Sequence, residues 1–133
     1  MNPIKAIDFR QGSTKISIFI LMALLFTVLY FSVGYSSLLK KSATFDEMVH
    51  ITSGYVELME NDYRIDYFHP PLLRKLLALP LLFDETITLP VEDASFRNDS
   101  YWYWCRLFFF DSNDAESLLI PARVVNLLLA IGL

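Results

Sequence analysis

The chain has 133 residues, of which 54% are hydrophobic and 20% are charged, and its formal net charge is −4. This acidic balance excludes a general nucleic-acid binder, which needs a basic face for phosphates, and the single cysteine excludes an internal disulfide framework. The apolar fraction is higher than soluble domains of this length usually carry, and this indicates a membrane protein.

A run of twenty-four uncharged residues, 16–39, predicts a first transmembrane helix. About twenty residues already cross a hydrocarbon core about 30 Å thick. The alternative is a cleaved signal peptide, whose apolar region has only about 7–15 residues and ends at a small-residue cleavage site. This run is longer and ends on Leu39-Lys40-Lys41. We therefore expect a retained anchor that follows a tail of residues 1–15.

The charges around this segment predict its orientation. Three basic residues precede it and two follow it, which is a small positive-inside margin. Residues 42–116 contain fourteen acidic and only five basic residues, and a segment so poor in Lys and Arg translocates without penalty. We therefore expect a multi-pass protein of the plasma (inner) membrane, with a cytoplasmic N-terminus and with residues 42–116 external or periplasmic.

Residues 117–133 predict the start of a second transmembrane helix. Only ten uncharged residues follow Arg123, too few to span a bilayer. The alternative is a C-terminal helix packed on a soluble core. We favour the membrane helix, because the end of a chain is usually polar and this apolar stretch would be exposed to water without a membrane around it. The predicted fold is therefore an all-α membrane protein with one complete transmembrane helix (16–39), an external loop (40–116) with amphipathic interfacial helices, and a truncated second transmembrane helix. We expect it to be the first part of a larger polytopic protein.

Residues 42–60 predict an amphipathic helix that carries three chemistry-bearing side chains. Thr44 and Glu47 form a capping-box pattern at its start. His50 lies four residues after Asp46 and three after Glu47, so the three side chains neighbour one another on the helix surface. Two interpretations remain open: the acidic pair simply starts the helix, or Asp46 takes a proton from a hydroxyl. A divalent metal shared by the three side chains is a further alternative, with a weak ligand spacing.

A second amphipathic helix is predicted after His69-Pro70-Pro71. Proline suits a first helical turn, and leucines with Arg74 and Lys75 follow it. The helix is too interrupted to span a bilayer, so we expect it on the membrane surface, where its basic pair can meet lipid phosphates. An ordinary core helix is the alternative. By itself, His69 is more typical of a loop histidine than of a catalytic one.

Residues 84–100 predict an exposed, polar loop. Four consecutive aromatic residues follow it, Tyr101-Trp102-Tyr103-Trp104. Such residues can stack on sugar faces, but a belt at the lipid–water boundary is the commoner cause, and we expect the belt.

The order of the motifs resembles a known family. After the first membrane helix come Thr44-Phe45-Asp46-Glu47, His50, Gly54-Tyr55, Asp62-Tyr63-Arg64, His69-Pro70-Pro71-Leu72, Leu79-Pro80-Leu81-Leu82 and Ala122-Arg123. This pattern, over residues 15–133, resembles the N-terminal part of the polytopic C-type membrane glycosyltransferases. It is similar to the dolichyl-phosphate-mannose–protein mannosyltransferase family and its bacterial relatives.

The resemblance implies a reaction and two catalytic residues. In that family the donor is a sugar linked through phosphate to a polyprenol or dolichol. Asp46 would be the general base that deprotonates an acceptor hydroxyl, and the hydroxyl would attack the anomeric carbon with inversion and expel the lipid phosphate. Glu47 would orient the site or help to hold a divalent metal, where a relative uses one.

The same resemblance implies the substrate-binding residues. His50 and His69 would line the cavity, and Arg74, Lys75 or Arg123 would neutralise the donor phosphate. The family has many more membrane helices than this chain, so the 133 residues alone are expected to be inactive. The sugar and the acceptor stay undetermined.

Two hypotheses from other classes stay open. The first is a small bitopic membrane protein that acts as a binding or scaffold subunit, and it requires Leu133 to be the true end of the chain. The second is a metal-dependent hydrolase facing the periplasm, which would use Asp46, Glu47, His50 and His69. We rank the glycosyltransferase first, the scaffold second and the hydrolase third.

Overall fold

The computed structural model describes residues 9–97 and 101–132, and all regular structure within these two ranges is helical. The helices are α1 (Phe9–Leu38), α2 (Phe45–Met59), α3 (Pro71–Ala78), α4 (Ala94–Arg97), α5 (Tyr101–Arg106) and α6 (Ala115–Gly132). A 3-10 turn, Leu79–Phe83, extends α3, and a π-helical turn, Leu107–Asp111, extends α5. The all-helical prediction is confirmed, and the first eight residues of the predicted tail lie outside the described residues.

Within the described residues, two helices are long and apolar enough to cross a membrane by length and composition, Lys15–Leu38 within α1 and Ala115–Gly132. The helix that contains the first segment already begins at Phe9, inside the predicted tail. The second helix, α6, continues through Pro121 and has 18 residues. It therefore begins well before Arg123 and is longer than the ten-residue apolar stretch that follows that arginine.

The start of α2 has the predicted capping box. The Glu47 N–H donates to Thr44 Oγ1 at 3.3 Å, and the Thr44 N–H donates to Glu47 Oε2 at 2.9 Å. Two otherwise unpaired backbone donors are satisfied in this way, which fixes the point where the helix begins. The helix predicted over 42–60 therefore exists, with the bounds Phe45–Met59.

The hydrophobic core lies where α2 packs against α3, α5 and α6. Its buried side chains include Met48, Val49, Ile51, Tyr55, Val56, Trp104, Phe108, Phe109, Leu118 and Leu119. Trp104 is completely buried, and its indole N–H donates to the Pro90 carbonyl oxygen at 3.0 Å. This member of the aromatic run therefore belongs to the core and not to a boundary belt.

Helices α2 and α3 cross closely at Gly54. A Cβ atom at this position would lie 2.1 Å from the Arg74 carbonyl oxygen and 3.2 Å from the Ala78 Cβ. Only glycine lets the two backbones approach to this distance. The crossing brings the His50 side of α2 against α3 and the loop that precedes it.

Candidate functional site

A buried carboxylate, Asp66, holds two histidines together. Asp66 lies in the loop between α2 and α3 and is 4% exposed. Its Oδ2 lies 3.0 Å from His50 Nδ1, and its Oδ1 lies 2.8 Å from His69 Nδ1. When each Nδ1 carries the proton that Asp66 accepts, the Nε2 lone pair of each neutral imidazole stays free. Asp66 therefore orients both rings.

Arg74 supports Asp66 from the interior. Its Nη1 lies 3.1 Å from Asp66 Oδ2 and donates to the His69 carbonyl oxygen at 2.8 Å. Its Nη2 pairs with Glu57, a carboxylate on α2 that is as deeply buried as the arginine. Buried charges persist when they are paired in this way. Two carboxylates share one guanidinium, so the buried group has a net charge of −1.

The pKa of Asp66 lies below its usual value. Burial raises this pKa, but the hydrogen bond from His69 and the positive charge of Arg74 are the leading effects that lower it, and the lowering effects outweigh burial. Asp66 is therefore an ionised carboxylate at neutral pH.

Asp46 shares a cavity with this cluster. The cavity, which we call the polar cavity, has a volume of about 320 Å³. It is lined by Asp46, Val49, His50, Ile65, Asp66, Phe68, His69, Tyr101 and Trp102. Asp46 is exposed in the first turn of α2, one turn before His50. An accessible carboxylate and two imidazoles thus face one space that has aromatic walls.

An apolar groove adjoins the polar cavity. It lies between α3 and α6 and has a volume of about 660 Å³. Its walls are mainly aliphatic and include Leu72, Leu73, Leu76, Leu77, Leu129 and Ala130. His50 and His69 line the groove as well as the cavity. The two histidines therefore stand at the boundary between a polar and an apolar space.

Glu47 and Arg123 form an ion pair of their own. Arg123 Nε and Nη2 donate to Glu47 Oε1 and Oε2, each at 2.7 Å. The guanidinium also donates to the backbone carbonyl oxygens of Leu38, Lys41 and Ser42. The hydrogen bond from Arg123 holds the pKa of Glu47 below its usual range, although burial opposes it. The pair joins α6 to the end of α1 and the start of α2.

The three predicted phosphate ligands all have protein partners. Arg74 pairs with buried carboxylates, and Arg123 pairs with Glu47. Lys75 Nζ donates to the Tyr63 hydroxyl at 2.8 Å and lies 4.7 Å from the centre of that ring. Their role toward a donor phosphate stays a prediction, as do the roles of Asp46 and Glu47 in catalysis.

Sequence reasoning missed Asp66 and Glu57. A signal for Glu57 exists, because it follows His50 and Gly54 at spacings of seven and three and so falls on the same line of the helix. Asp66 has a weaker signal, its position three residues before His69. Neither spacing reveals that Arg74 binds both carboxylates, since that contact requires the crossing of α2 and α3.

Comparison with protein-family models, with curated proteins and with solved structures finds no match for this chain. The assignment of a function therefore rests on the geometry of the polar cavity and the apolar groove.

Proposed function

We propose that this chain is the catalytic-loop portion of a membrane glycosyltransferase, which moves a hexosyl or pentosyl group from a polyprenyl-phosphate donor to a hydroxyl acceptor with inversion. One observation carries the proposal: the polar cavity that contains Asp46 opens beside the apolar groove, with His50 and His69 at the boundary. A substrate with a sugar phosphate head and a long apolar chain needs adjoining spaces of these two kinds. The order of the sequence motifs supports the same enzyme class.

The apolar groove suits the lipid part of the donor. Leucines of α3 form one wall, and Leu129 and Ala130 of α6 belong to the other. Each buried CH₂ group contributes about 0.8 kcal/mol, so a few isoprene units bind without any polar contact. The phosphate that follows the chain would then lie near the histidines at the boundary.

The polar cavity suits the sugar and the transfer step. The acceptor oxygen attacks the anomeric carbon from the face opposite the phosphate, and a new C–O bond forms there. The bond between the anomeric carbon and the phosphate oxygen breaks, and its electron pair leaves with the lipid phosphate. Asp46 takes the proton of the acceptor hydroxyl as the general base. Trp102, which stacks on Phe45 and is still 41% exposed, lines this cavity and offers aromatic surface to the sugar ring.

The exposed apolar surface of α1 supports a location in the membrane. Phe19, Leu21 and Phe26 are 73%, 66% and 62% exposed, and soluble monomers rarely carry a large contiguous patch of this kind. With α1 and α6 as spanning helices, residues 40–116 lie on one side of the bilayer. The distribution of basic residues favours the external side for this loop and the cytoplasm for the N-terminus.

The substitution Asp46→Asn tests the proposal. The variant is made in the chromosomal gene, and transfer from radiolabelled hexosyl and pentosyl polyprenyl phosphates is measured in native membranes. Asparagine keeps the size of the side chain but cannot take the proton, so we expect a loss of at least about 100-fold in rate with a normal amount of protein.

The exposed carboxylate Asp111 supplies a matched control. The Asp111→Asn variant should transfer sugar at the wild-type rate. If membranes that carry Asp46→Asn also transfer sugar at the wild-type rate, that result would contradict the role of Asp46 as the base. It would favour the binding or scaffold hypothesis.

A further inference from the structure

We infer that His50, Asp66 and His69 bind one divalent transition-metal ion of the Zn²⁺ type. Each residue offers one ligand atom, and the three atoms lie within 4.8 Å of one another. Two imidazole nitrogens and one carboxylate oxygen are a ligand set typical of zinc sites that keep an open position for a water or a substrate. This inference goes beyond the proposed function, because the ion binds whether or not sugar transfer is the reaction.

The distances in the cluster suit a shared ion. The Asp66 oxygens lie 3.0 Å and 2.8 Å from the Nδ1 atoms of His50 and His69. Ligand atoms on a tetrahedral ion with bonds of about 2.0–2.2 Å lie about 3.4 Å apart. The three ligand atoms lie within 4.8 Å of one another, so shifts of about 1 Å or less in the side chains bring them to these separations. The ion then takes the place of the protons that Asp66 shares with the two rings.

The charges around the cluster also favour a cation. Arg74 lies beside Asp66, but Glu57 pairs with the same guanidinium and offsets its charge. The two carboxylates and the guanidinium carry a net charge of −1, which a divalent ion converts to +1. If the proposed function holds, this positive charge stands at the boundary where the donor phosphate lies, and it supplies the electrostatic contact that Arg74, Lys75 and Arg123 do not offer while they bind protein partners.

The ligands are held in place before any ion arrives. His50 lies on α2, and Arg74 fixes the loop by donating to the His69 carbonyl oxygen at 2.8 Å. Partners of this kind orient the ligands of a metal and raise its affinity. The Asp66 side chain is 5% exposed, whereas those of His50 and His69 are 34% and 63% exposed. An ion can therefore enter from the solvent side and keep a free coordination position toward the cavity.

Isothermal titration calorimetry tests the inference with Zn²⁺ alone as the probe. The natural full chain is purified in detergent, treated with EDTA and titrated without donor or acceptor. We expect one Zn²⁺ per chain, and we expect His50→Ala and His69→Ala each to weaken binding by at least about tenfold. The control Asp62→Asn removes a half-buried carboxylate of the same loop, which pairs with Arg64 and lies outside the cluster, and should leave the affinity unchanged.

Co²⁺ gives a second readout that does not depend on heat. The wild-type protein should develop visible ligand-field absorption with Co²⁺, and the His50→Ala/His69→Ala double variant should not, while its circular dichroism stays helical. An absence of saturable Zn²⁺ binding to the wild type, or an unchanged affinity in the double variant, would overturn the metal site. Neither outcome depends on the transfer assay of Asp46→Asn, so the two proposals fail separately.

Discussion

Two adjacent acidic residues at the start of α2 have different surroundings. Glu47 closes the capping box with Thr44 and accepts hydrogen bonds from Arg123 through both carboxylate oxygens. Asp46 is exposed and faces the polar cavity. Capping and catalysis therefore do not compete for one carboxylate: Glu47 has the structural role, and Asp46 is free for the proposed role as a base.

The Glu47–Arg123 ion pair predicts how stability depends on pH. The pKa of Glu47 is lower in the folded protein than its ordinary value of 4.5, so folding favours the ionised form. The contribution is complete above about pH 4.5 and is lost as the pH falls through the lowered folded pKa. Glutamine also serves in a capping box, so Glu47→Gln removes the charge and keeps the cap. We expect this variant to lose about 1 kcal/mol of unfolding free energy near pH 7 and little in acid.

Chemical denaturation in detergent between about pH 7 and about pH 3 measures this difference. The exposed Glu60 at the end of α2 supplies the control Glu60→Gln, which should unfold like the wild type at each pH. An equal loss of stability by Glu47→Gln at both ends of the pH range would show that the charge pair is not the cause.

Helix α3 has an unusual distribution of side chains for an amphipathic helix. It buries Arg74 and Ala78, while Leu72 and Leu73 are 70% and 53% exposed. The arginine is buried because Glu57 and Asp66 bind it, so its charge is satisfied inside the protein. The exposed leucines then form the apolar groove, which is where a lipid chain or the hydrocarbon of a bilayer can cover them.

The crossing of α2 and α3 predicts the effect of a single methyl group. In Gly54→Ala, the new Cβ meets the Arg74 backbone carbonyl, so the two helices must move apart. We expect a loss of about 1–3 kcal/mol in the free energy of unfolding, which is typical of overpacked cores. Because Arg74 moves with α3, binding of Zn²⁺ should weaken as well.

Thermal unfolding in detergent measures this effect. Gly132→Ala is the matched control, because a Cβ at that helical position meets nothing within 4 Å. A Gly54→Ala variant that unfolds at the same temperature as Gly132→Ala would contradict the close crossing.

Sequence reasoning recovered the elements of this fold better than their contacts. The capping box and the apolar run of α1 were predictable, because the box spans only the four residues from Thr44 to Glu47 and the run is read directly from composition. The ion pairs of Arg74 were not predictable, because Glu57, Asp66 and Arg74 meet only when α2 and α3 cross. For the same reason, the burial of Trp104 could not be distinguished from membership of an aromatic belt.

At the scale of the whole molecule, the segment of residues 40–116 is held between the two apolar helices α1 and α6. The Arg123 guanidinium on α6 donates to the backbone carbonyl oxygens of Leu38, the last residue of α1, and of Lys41 and Ser42 in the segment that follows it. Gly34 of α1 also faces Leu127 of α6, whose Cδ1 lies 2.6 Å from where a Cβ would stand. These contacts fix the direction in which the loop leaves the proposed membrane surface.

Cysteine labelling in intact cells tests the proposed topology. Burial raises the pKa of Cys105 to about 12, so the natural thiol does not react near neutral pH and introduced cysteines report alone. We expect a membrane-impermeant maleimide to label Glu92→Cys from outside and to label Asn2→Cys, which leaves the basic residues of the tail unchanged, only after permeabilisation. The opposite labelling pattern would place the loop in the cytoplasm and away from an external acceptor.

The lipid pool of cells that carry Asp46→Asn in the chromosomal gene tests the central claim most directly. Mass spectrometry of lipid extracts compares this strain with the wild type and with Asp111→Asn. If Asp46 is the base that consumes a polyprenyl-phosphate sugar, that lipid accumulates only in the Asp46→Asn strain, and its mass reveals the class of sugar. A pool of polyprenyl-phosphate sugars that is identical in all three strains, with the variant protein present at its normal level, would contradict the account.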